Sequence, residues 1–252
     1  MFPVIFKIGS YSIYSYGFML IVAIALCMLL FYRDARSDGL SNNIIFSLVS
    51  GVLLWNILGA RILYLLLHVE DFLSHPLKIF MVYDGGFNWQ GGFVAGCVAG
   101  LWLTKVKNLS FPRMADLVAP YYALGVAVAR IGCFLNGCCF GKEVSWGVYC
   151  PVYKATYIPL QLYYSVSLFI LYCFLKYYQK KSTFPGQVFV LFLILDSLLR
   201  FCLDFVSLGY HPIYLKLSIY QWITLSIIIT AIILYFYFKK RNERETNVSS
   251  HL

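Results

Sequence analysis

The stretch Arg130-Ile-Gly-Cys-Phe-Leu-Asn-Gly-Cys-Cys-Phe-Gly141 ends a long apolar segment and places basic, amide and thiol side chains at its end. An arginine inside a membrane helix costs from about 3 to more than ~10 kcal/mol, so it usually faces a protein or water-filled interior and marks function. Whether this segment crosses a membrane therefore decides both the fold and the interpretation of Arg130.

The composition of the chain places it in a membrane. Of the 252 residues, 61% are hydrophobic and 12% are charged, and the mean hydropathy is +0.75. This apolar share exceeds that of globular chains. The apolar runs follow one another with short gaps, which predicts an all-α, polytopic membrane protein with one domain, residues 1–252, and no cleaved signal peptide. The net charge of +9 does not indicate nucleic-acid binding, because Lys and Arg in loops orient membrane proteins.

Seven apolar segments are long enough to cross a hydrocarbon core ~30 Å thick, which takes about 20 helical residues. They cover approximately residues 11–32, 45–68, 89–106, 115–137, 159–178, 186–206 and 217–238.

Basic residues outside these segments are concentrated on one side of the membrane. The positive-inside rule makes that side cytoplasmic, so the N-terminus is expected outside and the tail, residues 239–252, inside. The richer side carries Arg33, Arg36, Lys105, Lys107, Arg113, Lys176, Lys180, Lys181, Lys239, Lys240, Arg241 and Arg244. The other side carries Lys7, Lys78, Lys142, Lys154 and Lys216.

Three basic residues lie within the predicted spans, and the helical rise of 1.5 Å per residue gives their depth. Counted from the cytoplasmic end, Arg61, Arg130 and Arg200 lie ~24, ~22 and ~21 Å along their helices, in the outer leaflet. Tyr16 and Gln90 enter from the outer surface to a similar depth. Snorkelling to the interface explains one such arginine, whereas three at matched depth favour a shared polar layer.

Two carboxylates share a helix face with Arg200. Asp196 and Asp204 lie four residues to either side of it, so each can pair with the guanidinium. The alternative to a functional role is an ion pair that is only structural, in which the two charges neutralise each other.

Span three combines a glycine stripe with a polar start. Gly92, Gly96 and Gly100 are spaced four apart, which predicts a close helix contact. Helix packing explains the three glycines but gives no role to Gln90.

The cysteines of the opening stretch have three possible roles, as small buried side chains, as partners in a disulfide or as metal ligands. Gly137 is expected to end the helix before Cys138 and Cys139. Small buried side chains are the favoured interpretation, and a disulfide with Cys150 or Cys133 as partner is the alternative on an oxidising outer face. No metal site is predicted, because Cys-x4-Cys-Cys is not a recognised zinc spacing.

The polar layer suits an anionic lipid headgroup. Arginine offers a planar charged fork that binds phosphate at two points, and Tyr16, Gln90 and Asn136 can hydrogen-bond glycerol oxygens. The residues alone leave open a transferase, a lipid-binding scaffold and a small transporter, although the chain shows neither the internal repeat nor the paired broken helices expected of a transporter.

The ordered set of short motifs resembles the prolipoprotein diacylglyceryl transferases of bacterial cytoplasmic membranes over essentially the full length. The signature is Arg130-Ile-Gly132 with Phe134, Asn136-Gly137 and Gly141. Further pieces are Tyr16-Gly17, Gly59-Ala-Arg61, the paired glycines on either side of Gln90, Pro159-Leu-Gln-Leu-Tyr163, Arg200-Phe201, Asp204-Phe205 and Gln221.

The resemblance implies an enzyme that moves the diacylglyceryl group of phosphatidylglycerol to the lipobox cysteine thiol of a preprolipoprotein and releases glycerol phosphate. It implies no cofactor, and a multi-pass location in the bacterial cytoplasmic membrane. The implied partners are phosphatidylglycerol, lipobox-containing preprolipoproteins and membrane lipids.

The resemblance also implies the site. Arg130 and Arg200 would hold the phosphate and stabilise charge on the leaving group, and Asp204, where the family usually has glutamate, would orient Arg200. The expected catalytic residues are Arg130, Arg200 and Gln90. The expected substrate-binding residues are Tyr16, Arg61, Asn136, Gly141 and Asp204.

The chain departs from the family pattern at the groups that exchange protons. The family has a histidine where this chain has Gln90, and glutamine cannot accept a proton at neutral pH. The signature asparagine and glutamate are Cys133 and Cys138, and the histidine and glutamate beside the Pro-x-Gln-Leu-Tyr motif are Ile158 and Tyr164. The chain is expected to be a divergent transferase in which substrate positioning and the arginines suffice. The alternative is a family paralogue that binds phospholipid or modifies a different acceptor.

Overall fold

The computed structural model describes residues 3–8, 11–69, 89–151 and 153–249. Within these ranges the chain is mostly helical, with three two-stranded antiparallel hairpins. The helices are α1 (Ser15–Ser37), α2 (Asn42–Leu67), α3 (Trp89–Val106), α4 (Phe111–Asn136), α5 (Leu160–Gln179), α6 (Gln187–Asp204) and α7 (Ile219–Ser249). The strands are β1 (Val4–Ile8), β2 (Tyr11–Tyr14), β3 (Glu143–Cys150), β4 (Ala155–Tyr157), β5 (Pro212–Tyr214) and β6 (Leu217–Ser218), and they pair in sequence order.

Five of the described helices are long and apolar enough to cross a membrane, namely α1, α2, α4, α5 and the part Ile219–Arg244 of α7. The apolar part of α3 found in the described residues is Val94–Val106, which is shorter than a span. Helix α6 has 18 residues, and Asp196, Arg200 and Asp204 interrupt its apolar character. The prediction of a mostly helical, multi-pass membrane protein is confirmed.

The predicted start of the first span is wrong. Residues 11–14 form strand β2, which pairs with β1, and helix α1 begins only at Ser15. The sequence Tyr-Ser-Ile-Tyr alternates aromatic or β-branched residues with a polar one, as strands do. The hairpin therefore precedes the first helix and shortens the predicted span at its N-terminal end.

The chain divides into two compact units, residues 1–31 with 115–252, and residues 32–114. In the first unit, Ala119, Ala123 and Ala127 lie one helical turn apart on α4 and belong to one core cluster with Leu168 of α5 and Val188 of α6. Small residues let helix backbones approach closely, which is how membrane helices pack.

Glycines bring α2 and α3 together in the second unit. A Cβ added to Gly91 would lie 2.3 Å from the carbonyl oxygen of Gly59, and one added to Gly92 would lie 2.8 Å from that of Asn56. Gly96 also faces the side chain of Asn56. The close contact that the glycine stripe predicts is confirmed.

The buried carboxylate of Asp116 ties α4 to the start of α6. It accepts hydrogen bonds from the N–H of Gly186 at 2.6 Å and of Phe189 at 2.8 Å. The first N–H groups of a helix have no partner within the helix. Asp116 therefore caps α6 from a different helix.

Candidate active site

A cavity of about 450 Å³ lies at one end of the first unit. Its residues come from the last turns of α4 and α6, the first turns of α5 and α7, and the segments that follow α4 and α6. The polar side chains in its lining belong to Arg130, Cys139, Tyr153, Tyr164, Asp204, Ser207 and Tyr220. A concave site of this volume with a few convergent polar groups is typical of a small-molecule site.

Arg130 lies over an aromatic ring at the wall of this cavity. Its guanidinium carbon is 4.7 Å from the ring centroid of Tyr164, which is buried. An arginine over a tyrosine face is stabilised by the ring quadrupole, more so where water is excluded. Tyr164 is also close enough to Arg200 for an electrostatic interaction, so the structure brings both predicted arginines to one tyrosine.

Arg200 is paired with Asp196, and not with Asp204 as predicted. Its Nε lies 2.8 Å from Oδ2 of Asp196, one turn earlier on α6. An acidic residue that precedes its basic partner by four has the favoured orientation on a helix. Asp204 ends α6, lines the cavity and accepts a hydrogen bond from the hydroxyl of Ser218.

Tyr16 reaches this end of the unit because α1 and α4 approach closely at Gly132. A Cβ added to Gly132 would lie 2.9 Å from Cβ of Met19 and 3.4 Å from Cα of Tyr16. Tyr16 is thereby close enough to Arg130 for an electrostatic interaction. Asn136 is the last residue of α4 and is half-buried.

Gly141 holds the backbone around the cavity. Its N–H donates to the carbonyl of Ile158 at 2.9 Å. A Cβ at this position would lie 2.7 Å from the carbonyl oxygen of Val206 and 2.8 Å from Cβ of Ile158. The structure thus gives Gly141 a packing role, since only glycine allows this approach. Its predicted contact with substrate stays a prediction.

The sequence as a whole matches known proteins. A family model described as prolipoprotein diacylglyceryl transferase matches residues 3–237. The chain belongs to this family. A phosphatidylglycerol–prolipoprotein diacylglyceryl transferase of Clostridium tetani is 29% identical over 242 residues, which cover 93% of this chain and 97% of the relative. Transferase 2 of Clostridium perfringens is 32% identical over 248 residues (95% and 96%), and a relative from Aeromonas hydrophila is 34% identical over 211 residues (81% and 77%). The protein is therefore an enzyme, a transferase.

Two predicted site residues of this transferase lie in the second unit. Arg61 is on α2, with its guanidinium carbon 5.7 Å from the ring centroid of Tyr64. Gln90 falls in the first turn of α3, and its side chain lies outside the described residues. Their matched depth with Arg130 stays a prediction.

The cysteines of the signature come together in a way that the sequence spacing did not suggest. The Sγ atoms of Cys133, Cys138 and Cys139 lie within 4.8 Å of one another. Gly137 has φ +79° and its N–H bonds to the carbonyl of Phe134, while the N–H of Cys138 bonds to that of Cys133. This is the Schellman motif, and it confirms that Gly137 ends the helix. The turn folds the thiols of Cys138 and Cys139 back onto the thiol of Cys133.

The favoured interpretation of these cysteines as buried side chains fails for one of them. Cys133 is buried, but Cys139 is exposed and lines the cavity. All eight cysteines are free thiols in the structure, and Cys150 packs in a separate cluster with Phe140 and Tyr157. The prediction of no metal site depended on the spacing of the cysteines along the sequence. That spacing does not show that a left-handed turn brings the thiols together.

Cys139 lies in an anion-stabilising environment. Hydrogen bonds from the thiols of Cys133 and Cys138, together with the charge of Arg130, lower the pKa of the Cys139 thiol. The side chains of Cys139 and Arg130 both line the cavity wall. Such a wall combines a phosphate-binding group with a soft, electron-rich ligand.

Proposed function

We propose that this transferase moves the diacylglyceryl group of phosphatidylglycerol to the lipobox cysteine of a preprolipoprotein, at the outer leaflet of the bacterial cytoplasmic membrane. The observation that carries the proposal is the position of Arg130 in the wall of a 450 Å³ cavity at the end of a membrane-helix unit. The substrates that the relatives' names state support it.

The charge at the cavity favours an anionic headgroup. The guanidinium carbon of Arg130 lies 4.7 Å from the centroid of the Tyr164 ring, and the N–H groups along the edge of a guanidinium are donors that bind phosphate. Leu160 and Tyr220, in the first turns of α5 and α7, line this cavity, so the positive ends of both helix dipoles point to the same region. Tyr16 and Asn136 are available for the glycerol hydroxyls.

The reaction needs charge stabilisation on the leaving group. The acceptor sulfur, as thiolate, attacks the glycerol carbon that carries the phosphate, and the C–O bond breaks with its electron pair to phosphate oxygen. The products are a thioether and glycerol phosphate, whose phosphate gains negative charge. Arg130 lies where this charge develops, and such fixed charges are worth most where water is excluded.

The basic residues at the opposite helix ends support the proposed outer-leaflet position of the cavity. Arg36 lies in the last turn of α1 and Lys176 in that of α5, while Arg113 lies in the first turn of α4. The cavity is at the other ends of these helices. With α3 and α6 counted as spans, we expect seven crossings, an N-terminus outside and a tail in the cytoplasm.

The direct test uses the full-length protein in vesicles that contain phosphatidylglycerol, with a lipobox peptide. We expect release of glycerol phosphate and a peptide mass increased by one diacylglyceryl group. A peptide with serine in place of the lipobox cysteine should give neither product. The Clostridium perfringens relative, assayed in parallel, controls the conditions. Its activity without any release by this protein would contradict the proposal.

Substitution of the arginines tests the phosphate site. Arg130→Ala and Arg200→Ala should each lower kcat by about 10²- to 10³-fold, because a fixed charge at the leaving group is lost. The matched control is Arg113→Ala, an exposed arginine at the far end of α4 that should leave kcat unchanged. Full activity in both cavity variants would exclude the proposed phosphate contact.

Gln90 favours one further candidate, a transferase with a different acceptor. If phosphatidylglycerol is consumed and the lipobox peptide is unmodified, the diacylglyceryl group has another destination. Mass spectrometry of the lipid products then separates hydrolysis from transfer.

A further inference from the structure

Cys133, Cys138 and Cys139, here called the thiol cluster, lie close enough to share one metal ion. Their Sγ atoms are within 4.8 Å of one another. In a tetrahedral site with Zn–S bonds of about 2.3 Å, the sulfur atoms are ~3.8 Å apart. Side-chain movements of about 1 Å or less would therefore close the site.

The backbone already holds the thiol cluster in place. The carbonyl of Cys138 accepts a hydrogen bond from Nε2 of Gln161, whose side chain is fully buried. Cys139 has φ +63°, in the left-handed region that residues other than glycine seldom adopt. Such strained conformations persist where the surrounding structure enforces them, and they are concentrated at functional sites.

The thiol cluster is closed on one side and open on the other. Cys133 is buried, while Cys139 is exposed and lines the cavity beside Arg130. Among the described residues, no fourth His, Cys, Asp or Glu side chain joins the group. Three protein ligands with a fourth position left to substrate is the arrangement of catalytic zinc sites, whereas structural sites use four protein ligands.

The reaction requires the acceptor cysteine in its thiolate form. The acceptor is a cysteine thiol with a pKa near 8.5 in water, and Gln90 cannot take its proton. A thiol that coordinates Zn²⁺ is deprotonated outright. A metal at the cavity wall would thus supply the step for which Gln90 is unsuited.

We propose that the thiol cluster binds one Zn²⁺ ion, whose open coordination position takes the acceptor cysteine and converts it to the attacking thiolate. This inference rests on the proposed function. The S–H proton passes to water in the cavity when the sulfur binds. The C–S bond then forms as the C–O bond to phosphate breaks, and the thioether product is a weaker ligand that leaves. No oxidation or reduction takes place.

The charges are compatible with this site. Three thiolates and one Zn²⁺ carry a net charge of −1, and the guanidinium of Arg130 stands next to Cys139. The acceptor thiolate and the phosphate would both border this arginine, which places the nucleophile and the leaving group at one cavity wall.

Metal content of the purified full-length protein is the first measurement. Protein isolated under reducing conditions should contain about one zinc per chain by inductively coupled plasma mass spectrometry. Cys133→Ser, Cys138→Ser and Cys139→Ser should each weaken zinc binding by more than ~100-fold, since loss of an outer-shell partner alone costs 10- to 100-fold. Cys173→Ser, an exposed cysteine on α5, is the matched control and should retain zinc.

Cobalt substitution tests the fourth position without measuring activity. Co²⁺ in place of zinc should give the visible absorption of a tetrahedral thiolate site. The spectrum should change when a lipobox peptide is added and stay constant with the peptide in which serine replaces the cysteine. Unfolding temperatures of the variants should match that of the parent protein, which separates loss of a ligand from loss of fold.

The outcomes separate this inference from the proposed function. Transfer activity in zinc-free protein would overturn the metal site and leave the function standing. One zinc per chain, with a cobalt spectrum that responds to the peptide but without glycerol phosphate release, would support the site and contradict the function. A native disulfide within the thiol cluster, bound Cu⁺ in place of zinc, or a spectrum indifferent to the peptide would overturn the inference.

Discussion

Arg130 and Arg200 differ in the groups that stabilise their charges. Arg200 has a carboxylate at 2.8 Å, and that carboxylate, Asp196, is buried. Arg130 has the ring of Tyr164 at 4.7 Å, and no ion pair to it is found among the described residues. A ring stabilises a guanidinium without cancelling its charge. We therefore propose Arg130 as the better phosphate ligand of the two.

Substitution of Tyr164 separates the ring from the hydroxyl. Tyr164→Phe keeps the aromatic face and should change kcat/KM by no more than a few-fold. Tyr164→Leu removes a contact worth about 0.5–2 kcal/mol and should lower kcat/KM by roughly 2- to 30-fold. Steady-state kinetics with phosphatidylglycerol measures both. Equal losses in the two variants would assign the effect to the hydroxyl.

Sequence reasoning located the charged residues but not all of their partners. Arg130 was found because a charge at membrane depth is rare. Asp196 and Asp204 are equivalent by spacing, and the structure distinguishes them, because Asp196 pairs with Arg200 while Asp204 accepts a hydrogen bond from Ser218, in the segment before α7. The thiol cluster depends on the backbone angles of Gly137 and Cys139, and a positive φ at cysteine has no signature in the sequence.

At the scale of elements, Gly132 sets the distance between α1 and α4. Gly132→Ala places a methyl group 2.9 Å from Cβ of Met19, an atom that no side-chain rotation can move. Overpacking of this kind costs about 1–3 kcal/mol, so we expect a lower unfolding temperature in detergent. Gly17→Ala on α1 is the matched control, because a Cβ there meets nothing within 4 Å. An unchanged unfolding temperature for Gly132→Ala would contradict the close approach.

The cap that Asp116 provides to α6 makes a second prediction. Asp116→Ala removes both acceptors from the N–H groups of Gly186 and Phe189, so stability should fall by at least ~1 kcal/mol. Asp116→Asn keeps one side-chain oxygen and should lose less. Thermal unfolding ranks the three proteins, and the reverse order would refute the cap. Hydrogen exchange at the α6 N-terminus locates the change.

Some element boundaries were readable from the sequence and others were not. The sequence predicts the third span at residues 89–106, and α3 is Trp89–Val106, because the apolar run ends at the basic residues Lys105 and Lys107. The first span was predicted from residue 11, where a hairpin lies. Hydropathy does not distinguish a strand from a helix in a short aromatic stretch. The stretch forms a strand because it pairs with β1.

At the scale of the whole molecule, the fold of the first unit separates two groups of polar side chains. The cavity, both central arginines and the thiol cluster are at one set of helix ends, while Asp116, Lys176 and Gln179 form a polar network at the other. Consecutive helices that run in opposite directions give this separation. We therefore expect lipid and acceptor to bind at one face of the enzyme only.

The orientation of that face is the remaining prediction. In a chain without its native cysteines, Ser145→Cys lies on exposed strand β3 near the cavity end, and Lys240→Cys lies near the cytoplasmic end of α7. A membrane-impermeant maleimide applied to intact spheroplasts should label position 145 and not position 240. Position 240 should react only after permeabilisation, because the basic residues beside it favour the cytoplasm. Labelling of 240 alone in intact spheroplasts would invert the topology and place the cavity at the inner leaflet, where an acceptor exported across the membrane could not reach it.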